Sequence, residues 1–185
     1  MDFMIWKFFY INRGTIGESP FHAISSGLRD VPEWEDLRIP LATRVTEITG
    51  KPCRAINDAD MQGYGAIEGT GVEMMITLGT GMGSAIFTNG HLVPNLELGH
   101  HPLRKGKSYE ELIGNAARRK IGNTKWNRRV RQAIAQILPI WNPRVLYIGG
   151  GNAKKLDSDL PPRVRLVPNV AGILGGTRLW EDEGH

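Results

Sequence analysis

One apolar run, Val72–Leu78, ends in a loop with three alternate glycines, Gly79-Thr80-Gly81-Met82-Gly83. An almost unbroken apolar run of this length predicts a strand buried on both faces. The alternate glycines let backbone N–H groups turn inward around an anion, and Thr80 adds a hydroxyl donor. The pattern therefore predicts either a plain glycine turn or a phosphate loop. It is neither a dinucleotide fingerprint, which needs a helix after the loop, nor a P-loop, which needs Gly-Lys-Ser/Thr.

Predicted strands and helices alternate along most of the chain, and Asn89-Gly90 is a strong hairpin signal. We predict strands over residues 53–56, 72–78, 84–88, 91–93, 144–148 and 164–167. Helices are predicted over 34–50, 59–67, 109–120, 124–140 and 171–180, with another beginning at residue 152. This alternation, with one antiparallel hairpin inside it, predicts an α/β fold with a mixed sheet flanked by helices.

The formal charge of +4 is unevenly distributed. Ten Lys or Arg residues lie between positions 104 and 131, against only Glu110 and Glu111. The stretch must present a basic face, which is either a solvated helical surface or a binding surface for a polyanion. It lacks interleaved aromatic residues, an RNA-binding motif and zinc-finger spacing, so we predict no nucleic-acid partner.

The remaining composition predicts a cytoplasmic protein. The single cysteine, Cys53, cannot form an internal disulfide, which is typical of a reducing compartment. Residues 1–10 are apolar, but Lys7 interrupts them and Asp2 stands where a signal peptide has a basic start, so we expect no leader. With 41% hydrophobic residues, the chain also has no stretch that predicts a membrane span.

Asn57-Asp58 follows the predicted strand over 53–56. A carboxylate at a strand end can accept a hydroxyl proton as that oxygen attacks phosphorus, while the neighbouring amide orients the same substrate. Asn and Asp are also the usual residues that cap a helix N-terminus. The pair therefore predicts either a general base with a substrate ligand or a helix cap.

Glu97-Leu98-Gly99-His100 is the next polar constellation. Glu97 and His100, three residues apart, can face one side of a turn and share adjacent hydroxyls of a sugar, and Gly99 allows close backbone approach. His100-His101 could instead begin a metal site, but no Cys or further His follows at ligand spacing. We predict no metal ligands here.

Gly149-Gly150-Gly151 ends the predicted strand over 144–148. It precedes a predicted helix, and a helix N-terminus after a strand favours a phosphate or a closely packed nucleotide. Alone, the triple glycine is a weak indication.

Five motifs, taken in their order along the chain, resemble those of the ROK family of sugar kinases, and in particular those of its polyphosphate glucokinase branch. The resemblance runs from about residue 34 to residue 180 and includes Tyr109-Glu110, Trp126 and Asn142-Pro143. The five motifs are Asn57-Asp58, Leu78-Gly79-Thr80-Gly81-Met82-Gly83, Asn95-Leu96-Glu97-Leu98-Gly99-His100, Ile148-Gly149-Gly150-Gly151 and Ala171-Gly172-Ile173-Leu174-Gly175-Gly176.

The resemblance implies the actin-like, ribonuclease H-like ATPase fold of two lobes and transfer of a phosphoryl group to the 6-hydroxyl of glucose or a similar hexose. The donor would be ATP or polyphosphate with Mg²⁺, and the protein would be a homodimer. The family's cysteine-rich zinc motif is absent here, so no structural zinc is expected. The resemblance implies that Asp58 is the catalytic base. The implied sugar ligands are Asn57, Asp58, Glu97, His100 and Glu110. The implied phosphate-binding residues are Gly79, Thr80, Gly81, Gly83, Gly149, Gly150 and Gly151.

The sequence departs from this family at its front. Family members begin with a strand and an Asp-x-Gly-Gly loop that cradles the donor phosphates, and residues 1–31 contain no acidic residue before a paired glycine. We therefore expect residues 1–33 to be a remnant of the first lobe, largely missing, and residues 34–185 to be the C-terminal sugar-kinase domain. The alternative function is a non-catalytic sugar-binding or dimerising remnant of such a kinase.

Overall fold

The computed structural model describes residues 7–11, 41–93, 96–168 and 170–179, and it divides the chain into two units, Met1–Ile56 and Asn57–His185. The first unit contains strand β1 (Lys7–Ile11), helix α1 (Leu41–Thr49) and strand β2 (Cys53–Asn57) except for its last residue, which begins the second unit. Strand β1 pairs with β2. The helix predicted from residue 34 is present from Leu41 onward. Residues 34–40 of the predicted helix lie outside the described residues, and so does the predicted domain boundary near residue 33.

The strands of the second unit are β3 (Val72–Leu78), β4 (Met82–Thr88), β5 (His91–Val93), β6 (Pro102–Arg104), β7 (Lys107–Ser108), β8 (Val145–Gly149) and β9 (Val164–Leu166). Five of them form a mixed sheet with the order β5-β4-β3-β8-β9, and β6 and β7 form a separate hairpin. The central strand β3 pairs antiparallel with β4, as the predicted hairpin requires, and parallel with β8. The predicted mixed sheet is confirmed.

Five helices accompany these strands among the described residues of the second unit: α2 (Asp58–Ala66), α3 (Tyr109–Ile113), α4 (Asn115–Ile121), α5 (Asn123–Trp141) and α6 (Ala171–Arg178). The longest, α5, buries Trp126, Val130 and Ile134 against one face of the sheet, as its spacing predicts. The Trp126 indole N–H donates to the Ile113 carbonyl at 2.7 Å, which ties α5 to α3. Within the described ranges, no helix has a long enough apolar stretch to span a bilayer.

The opposite face of the sheet is covered by α2, which packs closely against α6. The two helix backbones approach through glycines. A Cβ atom at Gly65 would collide with the Ala171 carbonyl oxygen, and one at Gly175 would collide with the Met61 carbonyl oxygen. Gly175 of the 171–176 motif therefore serves helix packing together with Gly65, which leaves α2 in a fixed position beside β3.

Two predicted helices differ from the observed elements. The helix predicted over 109–120 is broken at Gly114, whose backbone is extended, with φ −66° and ψ 169°. A Cβ atom there would lie 2.7 Å from the Glu110 carbonyl oxygen and 3.0 Å from the Thr80 carbonyl oxygen, so the break brings the chain against the β3 loop. The helix predicted from residue 152 is only a 3₁₀ turn, Ala153–Lys155, so the triple glycine does not precede an α-helix.

Candidate functional site

The two predicted phosphate loops meet at one edge of the sheet. Strands β3 and β8 are parallel neighbours, with Thr77 opposite Gly149, so their carboxyl ends open side by side. Behind them, the Asn152 backbone N–H donates to the Leu78 carbonyl at 2.9 Å, and the Asn152 side-chain amide donates to the Gly79 carbonyl at 3.0 Å. The two glycine loops therefore lie next to each other and are tied together by Asn152.

The β8 loop requires glycine at Gly150. Its φ is +84°, and a Cβ atom would lie 2.5 Å from the Leu78 carbonyl oxygen. Its N–H donates to the Gln62 side-chain oxygen of α2 at 3.2 Å. The loop is thus fixed between β3 and α2.

Several glycine amides of the two loops already have acceptors within the protein. The Gly79 N–H donates to the Gly81 carbonyl at 3.0 Å, and the Gly83 N–H donates to the Thr77 hydroxyl at 3.2 Å. The Gly150 amide is occupied in the same way. Thr80 and Gly151, in contrast, are exposed at the sheet edge.

Asn115 braces the β3 loop from outside, a role that the sequence analysis missed. Its backbone N–H lies 3.1 Å from both the Gly79 and the Thr80 carbonyl oxygens. Its side-chain oxygen accepts from Arg118 at 3.0 Å and from the Asn152 amide at 3.4 Å. The Gly114-Asn115 dipeptide inside a predicted helix was the one available signal, but only the fold shows which loop it reaches.

Glu110, a predicted sugar ligand, lies against the same loop. A Cβ atom at Gly81 would be 2.7 Å from the Glu110 carboxyl carbon, and one at Gly99 would be 3.7 Å from a Glu110 carboxylate oxygen. The carboxylate is therefore close to the β3 loop on one side and to the Glu97–His100 turn on the other. The absence of a side chain at Gly81 makes room for it.

Of the two roles that the sequence left open for Asn57-Asp58, the structure shows the helix cap, which Asn57 provides. The Asn57 side-chain oxygen accepts the Ala59 N–H at 2.8 Å and caps α2. Asp58 is the first residue of α2, and one of its carboxylate oxygens is 3.5 Å from the Cβ position of Gly83. Burial raises the pKa of Asp58, and hydrogen bonds from the backbone N–H groups of Ala59 and of Asp58 itself oppose part of that rise.

Asp60 is a site carboxylate that the sequence analysis did not identify. Burial, then the negative charge of Glu97, then that of Asp58 raise its pKa to about 7. Residues two apart on a helix do not share a face, so the spacing of Asp58 and Asp60 gave no reason to join them. Only the folded chain brings Glu97 close enough to make three carboxylates interact.

The predicted sugar-binding turn is a 3₁₀ helix, Leu98–His100, with Glu97 immediately before it. The Leu98 N–H donates to the buried Ser84 hydroxyl of β4 at 3.1 Å, so the turn is anchored to the sheet. The His100 N–H donates to the Glu97 carbonyl at 3.2 Å. Both predicted ligands are exposed in one turn, as their spacing predicts, while Asn95 lies outside the described residues.

The site's carboxylates do not form a metal cage. Among the described residues, no group of three or more His, Cys, Asp or Glu side chains has an arrangement that could hold a metal ion. Magnesium usually keeps several waters and binds through one or two carboxylates together with substrate phosphates. The described residues therefore do not fit a resident metal site of protein ligands alone.

The chain resembles known proteins over most of its length, although no protein-family model matches it. It is 37% identical over 145 residues to the polyphosphate glucokinase of Mycobacterium tuberculosis (strain CDC 1551 / Oshkosh), an alignment that covers 70% of this chain and 54% of that protein. The chain thus spans about half the length of the curated relatives it matches.

Two solved structures share its fold. The inorganic polyphosphate/ATP-glucomannokinase from Arthrobacter sp. strain KM superposes with a TM-score of 0.68 and 28% identity, over 81% of this chain and 65% of that one. A ROK family glucokinase from Streptomyces griseus, in complex with glucose and AMPPNP, superposes with a TM-score of 0.61 over 76% of this chain and 72% of that one. At 17% identity, the second likeness concerns the fold alone.

Proposed function

Since the chain belongs to the ROK family of sugar kinases over the region that it shares with polyphosphate glucokinases, we propose that this region carries the sugar-phosphorylating site of a hexose kinase. Its mixed sheet flanked by helices has the actin-like ATPase fold of that family, as the sequence predicts. The observation that carries the proposal is the sheet edge where the β3 loop, Asp58 and Glu110 lie together.

The proposed reaction transfers the terminal phosphoryl group of ATP or polyphosphate to the 6-hydroxyl of glucose or a similar hexose. The hydroxyl oxygen forms a bond to the terminal phosphorus, the bond from phosphorus to the leaving phosphate oxygen breaks, and Asp58 accepts the hydroxyl proton. Two observations support Asp58 as the base. It lies beside Gly83 at the foot of the phosphate loop, and burial raises its pKa, which strengthens it as a proton acceptor.

The hexose would occupy the space between the first turn of α2 and the 3₁₀ turn. We assign Glu97 and His100 to adjacent sugar hydroxyls because both are exposed in one anchored turn. Asn57 uses its side-chain oxygen for the helix cap, so its amide nitrogen is the group that we assign to the sugar. Glu110 is the proposed further contact, since it reaches toward Gly99 from the phosphate-loop side.

The donor phosphates would lie over the two glycine loops. We assign direct contact to Thr80, Gly81 and Gly151, because the amides of Gly79, Gly83 and Gly150 already donate within the protein. Gly83, Gly149 and Gly150 then shape the loops, because a Cβ atom at each would collide with neighbouring protein atoms. Mg²⁺ bound to the donor would neutralise the negative charge that develops during transfer. From the family we also propose a homodimer in the cytoplasm.

A coupled assay for glucose 6-phosphate, with Mg²⁺ and either ATP or polyphosphate as donor, tests the proposal. We expect product with at least one donor and loss of product when glucose is omitted. A folded chain that gives no product above the blank contradicts the kinase function. Glucose binding by calorimetry without product would instead favour the alternative, a sugar-binding module without transfer activity.

A further inference from the structure

Gln62 joins α2, the helix that carries the proposed base, to the β8 loop. It lies four residues after Asp58, and side chains four residues apart on a helix share one face. Its side-chain oxygen accepts the Gly150 N–H at 3.2 Å. One face of α2 therefore carries the proposed base in its first turn and, one turn later, a hydrogen bond to the second glycine loop.

The β8 loop and α6 leave room for the Gln62 side chain. A Cβ atom at Gly149 would lie 2.6 Å from the Gln62 side-chain oxygen, so a larger residue there would push the amide away from the Gly150 N–H. Gly172 of α6 lies against the aliphatic part of the same side chain, since a Cβ atom there would be 3.4 Å from Gln62 Cγ. The side chain is thus half-buried against both elements.

Both backbone groups of Gly150 are held. Its N–H donates to Gln62, and its carbonyl accepts the Ala153 N–H of the 3₁₀ turn at 3.0 Å. In a planar trans peptide, the N–H of the next residue points opposite to this carbonyl. The direction of the Gly151 N–H, which we assign to the donor phosphates, therefore follows from the way in which Gly150 is held.

The same helix also contacts the β3 loop. A Cβ atom at Gly83 would lie 3.0 Å from the Ala59 Cβ and 3.5 Å from an Asp58 carboxylate oxygen. Because α2 packs closely against α6, the helix has little freedom to shift. The position of the β8 loop relative to Asp58 therefore depends on the hydrogen bond from Gly150 to Gln62.

We propose that Gln62 is a positioning residue of the proposed transfer site, which holds the β8 loop, and with it the Gly151 amide, in register with Asp58. Phosphoryl transfer needs the attacking oxygen, the phosphorus and the leaving oxygen roughly in line, and a misplacement of about 1 Å can cost about 100-fold in rate. Gln62 acts through the loop and not on the substrates. This role rests on the proposed kinase function, because it concerns where the donor lies relative to the base.

The test compares Gln62→Met with Gln62→Glu in the full chain. Met has a similar length but offers only a weak thioether acceptor, whereas Glu keeps an oxygen acceptor at the same reach. The matched control is Gln132→Met, the same change at an exposed position of α5. Melting curves check that the three variants fold, and calorimetry measures their affinity for glucose.

We expect kcat at saturating donor to fall about tenfold in Gln62→Met, with glucose affinity and melting temperature close to those of the wild type. Gln62→Glu should keep most of the wild-type kcat, although its charge raises the KM for the anionic donor. A merely structural role would lower the melting temperature and leave kcat unchanged. An unchanged kcat in Gln62→Met, or an equal loss in Gln62→Glu or in the control, would overturn the proposal.

Failure of the kinase proposal has a different signature. If the wild type forms no product with either donor, calorimetric titrations of the ATP analogue AMPPNP and of tripolyphosphate still test how the β8 loop is held. Weaker binding by Gln62→Met than by Gln132→Met would support the positioning role without transfer, and equal affinities would overturn it. A wild-type chain that forms no product and binds neither compound would overturn both proposals.

Discussion

Asp60 shows how a residue's chemistry depends on neighbours that it meets only in the folded chain. Asp58 and Glu97 stand out in the sequence because motifs surround them, while Asp60 follows as an ordinary helix residue. The fold buries it and adds the charges of Glu97 and Asp58, so its pKa rises to about 7. The sequence could therefore single out Asp58 and Glu97 as candidates, but not the third carboxylate, whose pKa both of them raise.

The Asp60→Asn substitution should make stability less dependent on pH. The folded pKa is about 7 against an ordinary value of 3.8, so the folded state binds more protons between these values. The free energy of unfolding of the wild type therefore falls as the pH rises through this window. We expect the variant to be more stable by up to about 4 kcal/mol at pH 8 and nearly equal at pH 4.

Denaturant unfolding at the two pH values measures this difference. Asp159→Asn, at an exposed carboxylate, is the matched control and should change stability little at either pH. An Asp60→Asn effect that is the same at pH 4 and pH 8 would contradict the pKa assigned to Asp60.

Asn152 is the residue whose loss should loosen the β3 loop. It is buried, and its amide donates to the Gly79 carbonyl and to the Asn115 side chain. Asn152→Ala leaves these two oxygens without the hydrogen bonds from its amide, so we expect the free energy of unfolding to fall by about 1–2 kcal/mol. We also expect the KM for the phosphoryl donor, ATP or polyphosphate, to rise. Asn123→Ala, which removes a partner of Arg118 but no contact to the loop, should leave the donor KM unchanged. An unchanged donor KM in Asn152→Ala would show that the brace does not position the loop.

The strands of the core were more predictable from sequence than the breaks between helices. Apolar runs and Asn89-Gly90 determine β3, β4 and β5 locally, and α5 follows from its amphipathic spacing. The break at Gly114 depends instead on backbone oxygens of the β3 loop, which no local pattern records. For the same reason, Asn115 could not be recognised as the brace of that loop.

In the contact between α2 and α6, we expect alanine to lower stability at one glycine and not at another. A Cβ atom at Gly175 collides with a backbone oxygen of α2, so we expect Gly175→Ala to lower the free energy of unfolding by about 1–3 kcal/mol. Gly172→Ala, on the same helix, would bring its Cβ to 3.4 Å from a Gln62 side-chain carbon, an ordinary contact, and should be neutral or stabilising. Thermal melts of both variants measure this. Equal melting temperatures would contradict the close approach.

For the whole molecule, the ordered motifs predicted the family and its fold before any geometry was known. The relatives at 37% and 28% identity confirm that resemblance, and the mixed sheet confirms the architecture. The basic stretch over residues 104–131 left two readings open, a solvated surface or a polyanion site. The fold gathers part of that stretch around one cavity, because the β6–β7 hairpin and α5 bring distant cations together.

If this region phosphorylates a hexose with Asp58 as the base, removing that carboxylate should stop the transfer, and comparing Asp58→Asn with the wild type measures this. Product formation and glucose affinity are measured on the same preparations. We expect kcat to fall at least about 100-fold, because the attacking hydroxyl loses its proton acceptor, while glucose affinity changes far less. An Asp58→Asn variant with the wild-type rate would contradict the account.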